Sequence, residues 1–150
     1  MNNTYKITTK SDEETIEVAQ NLESEKFPNM VICLNGDLGS GKTVFTKGFA
    51  SAMAIEDVTS PTFNIIKEYI GELPLYHIDV YRTNGKIDNL GIEEYFDKGG
   101  VTIIEWAEMI EDVLPLERLD ITFKITGENS RVMLITPHGE KYLRVCEDAL

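Results

Sequence analysis

The chain has 150 residues, 42% of them hydrophobic, with a net charge of −12 and a pI near 4.5. That length suits one domain with a real core. The charge argues against a general nucleic-acid-binding surface, which needs clustered Lys and Arg to neutralise phosphates.

Tyr5 to Thr8 reads as a short edge strand. Ser11-Asp12-Glu13-Glu14 matches a capping box, Ser at the N-cap and Glu three residues on. The helix it opens is expected to run to about Lys26, with Ile16, Ala19 and Leu22 on one face. Pro28 ends it, because the residue before a proline is pushed out of the helical region. Met30 to Leu34 is an apolar run that reads as a buried strand.

Gly36-Asp37-Leu38-Gly39-Ser40-Gly41-Lys42-Thr43 then fits G-x-x-x-x-G-K-[ST] at every fixed position, the phosphate-cradling P-loop. A helical stretch from Thr43 to Ala54 follows it. Strand, glycine loop and helix together aim backbone N–H groups and a helix N-terminus at one anion. Lys42 is placed to reach the β- and γ-phosphates of a nucleotide, and the Thr43 hydroxyl to hold Mg²⁺.

Beyond that helix, Thr59-Ser60-Pro61-Thr62-Phe63 stands where switch loops stand in many P-loop hydrolases. Thr62 would then sense the γ-phosphate through Mg²⁺. A plain turn explains the same residues equally well. Phe63 to Ile70 and Leu75 to Tyr81 read as an antiparallel hairpin across Gly71-Glu72. Ile87 to Phe96 reads as weakly helical, broken near Gly91. Val101 to Ile104 is a buried strand, and Trp106 to Leu114 a short helix stopped by Pro115. Leu119 to Thr126 and Arg131 to Thr136 form a second hairpin. The segment from Glu140 is ambiguous between helix and strand.

A P-loop needs an acid near its metal, at the carboxyl end of a strand. Glu105, directly after Val101 to Ile104, and Asp79, near the end of its own strand, both qualify. A carboxylate there binds the metal, holds a metal-bound water or orients the attacking water. His77 suits acid–base work or a structural role. Trp106 suits stacking or core packing, and Arg82 and Arg131 suit phosphate contacts or salt bridges. Cys33, in a core strand, reads as a small buried apolar residue. No Cys-x-x-Cys or Cys/His cluster points to a metal site. The N-terminus lacks the basic and apolar regions of a secretory signal. No apolar run approaches the roughly 18 residues of a membrane span. A cytoplasmic, reduced protein is the expectation.

Four blocks together are specific where the P-loop alone is generic. Gly36 to Thr43, Thr59 to Phe63, His77-Ile78-Asp79-Val80-Tyr81-Arg82 and Ile104-Glu105-Trp106, in this order and spacing, resemble the TsaE (YjeE) family. That is the bacterial ATPase of tRNA threonylcarbamoyladenosine biosynthesis. The resemblance spans about residues 5 to 138. It implies an α/β P-loop NTPase, a twisted mixed sheet with antiparallel hairpins at its edges. It implies ATP/ADP and Mg²⁺ as ligands, with Gly36, Leu38, Gly39, Ser40, Gly41, Lys42 and Thr43 around the phosphates. Thr43 and Glu105 would hold the metal, with Lys42, Asp79 and Glu105 as the catalytic set. Thr9 and Ser11 would approach the adenine, and Arg131 the nucleotide from a C-terminal strand. The implied partners are the threonylcarbamoyl-transferase subunit and its dimerising paralogue (TsaD/TsaB type). Contact with tRNA would be only indirect.

Three rivals stand beside this. Asp88-Asn89-Leu90-Gly91 matches the D-x-x-G of small GTPases, without a preceding apolar strand or a following Asn-Lys-x-Asp. A small-molecule kinase usually brings an arginine-bearing lid, and the arginines here are few and scattered. A nucleotide-gated adaptor would bind ATP without needing to hydrolyse it.

Overall fold

The computed structural model describes residues 3–56, 58, 65–88 and 90–150. Thr59 to Phe63, Thr62 included, and Asn89 of the Asp88-x-x-Gly91 stretch lie outside the described residues.

Seven strands make one mixed sheet. They are β1 (Tyr5–Thr9), β2 (Val31–Gly36), β3 (Ile66–Tyr69), β4 (Leu75–Asp79), β5 (Val101–Glu105), β6 (Arg118–Ile125) and β7 (Arg131–His138), in the spatial order β1-β7-β6-β2-β5-β4-β3. The central four, β6, β2, β5 and β4, run parallel. The β3–β4 and β6–β7 hairpins are antiparallel, and β1 adds antiparallel to β7. Both expected hairpins therefore form, each toward one edge. Parallel strands are covered on both faces, and β2 shows it: Val31, Ile32, Cys33 and Leu34 are all buried. The outer hairpin alternates instead, burying Leu119, Ile121 and Phe123 on β6 and Met133 and Ile135 on β7.

Three helices pack on the sheet: α1 (Asp12–Glu23), α2 (Lys42–Ala52) and α3 (Glu140–Ala149). Ser11 caps α1 by accepting from the Glu14 N–H at 3.2 Å. The Glu14 carboxylate returns to the Lys10 N–H at 2.8 Å, one residue earlier than a capping box prescribes. The helix stops at Glu23 rather than Lys26. The Glu25 and Lys26 N–H groups turn to carbonyls three residues back, tightening the chain ahead of Phe27-Pro28. Gly48 lets α1 and α2 touch, since a Cβ there would stand 2.9 Å from the Ile16 Cα. The ambiguous C-terminal segment is helical because Tyr142, Val145 and Cys146 fall on one face at helical spacing and are buried. The Tyr142 hydroxyl accepts the Val31 N–H at 2.9 Å, closing the start of β2.

The other face of the sheet is covered by 3₁₀ segments. β4 ends at Asp79, two residues short of the expectation, because the Asp79 carboxylate accepts the Tyr81 N–H at 3.0 Å and turns the chain into the 3₁₀ turn Tyr81–Thr83. The weakly helical stretch expected from Ile87 to Phe96 is the 3₁₀ segment Ile92–Asp97, opened by Gly91 at φ 68°. The expected helix from Trp106 is instead a 3₁₀ segment, Ala107–Val113, that starts after the left-handed Trp106 (φ 63°) and kinks at Ile110 (φ −129°). Two apolar clusters result. One joins Phe45, Phe49, Ile32, Leu34 and Ile103 beneath the α-helices, and a smaller one joins Cys33, Ile78, Ile104 and Ile110 beneath the 3₁₀ segments.

Candidate active site

After β2 the chain builds β3, β4 and β5 on one side of that strand, then crosses to place β6 on the other. The P-loop leaves β2 at this reversal, where open α/β sheets bind their ligands. Gly36 is required there: its φ is 139°, and a Cβ would stand 2.7 Å from the Phe123 carbonyl oxygen. Gly41, at φ 112°, is the N-cap of α2, and no side chain caps that helix. Its first-turn N–H groups therefore face the loop, a ready anion site.

A cleft of about 510 Å³ opens over this point. Leu38 through Thr43 form its floor, and Asp79, Tyr81, Arg82, Glu105 and Trp106 one wall. Asp12, Thr15 and Arg131 also line it. Lys42 is buried, and its ammonium turns back onto its own loop. It donates to the carbonyls of Gly36 and, at 2.9 Å, Asp37, and lies 4.1 Å from the centre of the Trp106 ring. Burial holds the Lys42 pKa below the usual lysine value, with Glu105, Glu108, Asp79 and Asp37 pulling it back up.

The acids come from two adjacent strands. Asp79 and Glu105 are register partners on parallel β4 and β5, so both side chains leave the sheet on the same face. Glu105 is buried and bridges two groups. Its Oε1 accepts the Thr43 hydroxyl at 3.2 Å, and its Oε2 lies 2.5 Å from His77 Nε2. Asp79 is raised above the ordinary carboxylate range, chiefly by burial. The Tyr81 N–H, His77 and Lys42 oppose the shift, and Glu105 adds to it. That direction makes Asp79 a better proton acceptor.

Trp106 is the strained residue of the site. A bulky side chain at positive φ is uncommon and costs about 1–3 kcal/mol. The neighbourhood holds it: the Trp106 N–H donates to Leu34 O at 2.9 Å, and the Asn35 side chain accepts the Glu108 N–H at 3.0 Å. The indole also stacks against Tyr81, with ring centroids 4.6 Å apart.

The remaining predicted positions divide. Arg82 and Arg131 both reach the cleft wall. Arg131 donates to the carbonyls of Ser130 at 2.8 Å and Gly39 at 3.0 Å, bracing the P-loop against the β6–β7 turn. Thr9 is buried with its hydroxyl 2.9 Å from that of Thr15, and the Ser11 hydroxyl caps α1. At that end the cleft wall itself is Asp12 and Thr15. No local pattern marks those two, because their place depends on how β1 docks on β7. Asp88 and Gly91 line a separate hollow of about 310 Å³ with Ile87 and Val113, away from the P-loop. The D-x-x-G match therefore does not join the phosphate site.

Residues 9–133 match the family model described as threonylcarbamoyl adenosine biosynthesis protein TsaE. A Bacillus subtilis protein named tRNA threonylcarbamoyladenosine biosynthesis protein TsaE is 48% identical over 142 residues, covering 93% of this chain and 90% of that protein.

The chain belongs to the TsaE family.

A Rickettsia bellii protein of the same name is 36% identical, covering 84% of this chain and 90% of its own. The crystal structure of Bacillus subtilis YdiB superposes with a TM-score of 0.88 at 44% identity, covering 99% of this chain and 95% of that one. The mixed seven-stranded sheet is consistent with the P-loop NTPase architecture expected for the TsaE family. No helix among the described residues is long and apolar enough to cross a membrane.

Proposed function

We propose that this chain is the ATP-hydrolysing component of a tRNA N6-threonylcarbamoyladenosine modification complex, resetting the threonylcarbamoyl-transferase between rounds. The observation that carries the reading is the Thr43–Glu105 contact at the N-terminus of α2, set in the P-loop cleft. Membership of the TsaE family supplies the pathway. The work would be cytoplasmic, beside tRNA but through the transferase and its dimerising paralogue, and a net charge of −12 favours that indirect contact.

The residues fit a nucleotide with Mg²⁺. A hydroxyl and a carboxylate are hard oxygen donors, and Mg²⁺ is commonly held by one or two such groups plus phosphate oxygens and water. No group of three His, Cys, Asp or Glu side chains poised to hold a metal occurs among the described residues, which is consistent with a metal that arrives with its nucleotide. Thr43 and Glu105 would hold it, and its chemistry there is neutralisation of phosphate charge.

The loop N–H groups and the start of α2 bind the β- and γ-phosphates, and Lys42 leaves the Gly36 and Asp37 carbonyls to meet them. Gly36, Leu38, Gly39, Ser40 and Gly41 contribute backbone. Asp79 orients a water on the cleft side of β4 and takes its proton as the water oxygen bonds to the γ-phosphorus. The bond from that phosphorus to the bridging oxygen breaks, leaving ADP and phosphate. Arg131 keeps the loop in place, and the adenine lies toward α1, near Thr9, Ser11, Asp12 and Thr15. Trp106 and Tyr81 wall the opposite side.

The nucleotide-gated adaptor has one observation in its favour: Lys42 already has partners on its own loop. Phosphate release separates the two readings. We expect slow turnover of ATP alone, faster turnover with the transferase and its paralogue, and preference for ATP over GTP. Nucleotide binding with no phosphate release, with or without those partners, selects the adaptor.

A further inference from the structure

We infer that His77 is a positioning residue that sets which oxygen of Glu105 faces the metal, an inference that rests on Thr43 and Glu105 holding Mg²⁺ as proposed above. His77 lies on β4 opposite Ile103 of β5, two residues before the Asp79–Glu105 pair, and is fully buried. Its Nε2 stands 2.5 Å from Glu105 Oε2, while Glu105 Oε1 takes the Thr43 hydroxyl. A carboxylate only accepts, so this contact makes Nε2 the nitrogen that carries hydrogen. Nδ1 is buried with no hydrogen-bond partner. The ring thus has one directed polar contact, and that contact is with the acid of the site.

A polar ring at a fully buried strand position costs stability unless its bonds are made. His77 makes one, and packing alone would favour an apolar residue between Leu75 and Asp79. The function of the imidazole is therefore in what it does to Glu105. With Oε2 tied down inside the protein, Oε1 is the oxygen left beside the metal-binding hydroxyl. Groups that hydrogen-bond a metal ligand in this way are worth about 10–100-fold in metal affinity.

The test is ADP affinity by calorimetry, titrated with Mg²⁺ and repeated in EDTA, for the parent, Glu105→Gln, His77→Gln, His77→Asn and His77→Leu. The Gln amide places a donor near the position of Nε2, whereas the shorter Asn amide places it near Nδ1. We expect His77→Gln to keep close to the parent Mg²⁺ midpoint. His77→Asn and His77→Leu should need about 10–100-fold more Mg²⁺, with affinity in EDTA unchanged. Circular dichroism establishes that each variant is folded, and if His77→Leu is not, the Gln and Asn pair decides. Equal midpoints for Gln and Asn, or a parent midpoint in folded His77→Leu, overturn the inference and leave the Mg²⁺ site standing. If Glu105→Gln has the parent's Mg²⁺ dependence, the metal site itself is wrong, and the role of His77 falls with it.

Discussion

The two walls of the cleft are built in opposite ways. The phosphate wall, Gly36 to Thr43, is one contiguous loop whose grip comes from backbone N–H groups and one side-chain charge, the Lys42 ammonium. The exposed Leu38 side chain and the buried Ser40 hydroxyl are not what hold an anion there. The acid wall is all side chain. His77, Asp79, Glu105 and Trp106 come from two strands and meet only because β4 and β5 are parallel in one register. A backbone loop grips any suitably shaped anion, whereas positioned carboxylates set metal and proton chemistry. The comparison therefore assigns phosphate affinity to the first wall, and metal dependence and turnover to the second.

The largest expected effect breaks the acid wall alone. Asp79→Asn keeps shape and loses the proton acceptor, so turnover should fall by about 10²–10⁴ while ATP affinity holds. Single-turnover phosphate release beside calorimetric binding checks both halves. A joint loss of binding and rate would mean that the walls are not separable.

The pH profile sharpens the same point. Asp79 must be ionised to accept a proton, and burial raises its pKa. The acid limb of the rate profile should then lie above the ordinary carboxylate value of about 3.9. For stability the sign is the reverse of a salt-bridged acid. The folded state favours the protonated form, so the Asp79 contribution weakens as pH rises from about 3.9 through its raised folded value. Urea titrations of parent and Asp79→Asn across that window should converge at low pH and diverge above it, with the variant the more stable.

On the phosphate wall, Gly36→Ala should cost about 1–3 kcal/mol of stability, since alanine must sit at positive φ against the Phe123 carbonyl. Thermal unfolding reads this directly, and an unchanged midpoint would contradict the geometry of the loop. The smallest effect lies outside both walls. Cys33 and Cys146 are buried, and burial pushes the Cys146 thiol up to about 11 and Cys33 higher still. Iodoacetamide at neutral pH should leave both intact until the chain unfolds, as mass spectrometry would show.

The difference between the walls also governs what could be read from the sequence. The P-loop, its strand and its helix are a single string, so eight letters and their flanks placed them. The α1 cap was legible for the same reason. Glu105 and Asp79 were legible as acids ending apolar runs, but their adjacency is a property of register, which no local pattern carries. His77 is two residues from Asp79, a spacing that puts both on one face of a strand. The sequence offered that hint, yet the partner, Glu105, is 28 residues away. The left-handed Trp106 had no local signal, because glycine is the residue that announces such a turn. Its conformation is held from outside, by Leu34 and Asn35 of the loop strand. Arg131 reads from sequence as a phosphate or nucleotide contact or a salt-bridge partner, whereas its bonds to the Ser130 and Gly39 carbonyls depend on where the β6–β7 turn docks.

The measurement that bears most directly on the division of labour is calorimetric titration of Mg²⁺-ATP into Lys42→Ala. Lys42 belongs to the gripping wall, and a charged hydrogen bond contributes about 1.5–3 kcal/mol. Affinity should fall by at least roughly tenfold in a variant whose circular dichroism matches the parent. Parent affinity in a folded Lys42→Ala protein would contradict the account, because the loop would then not be where the phosphates bind.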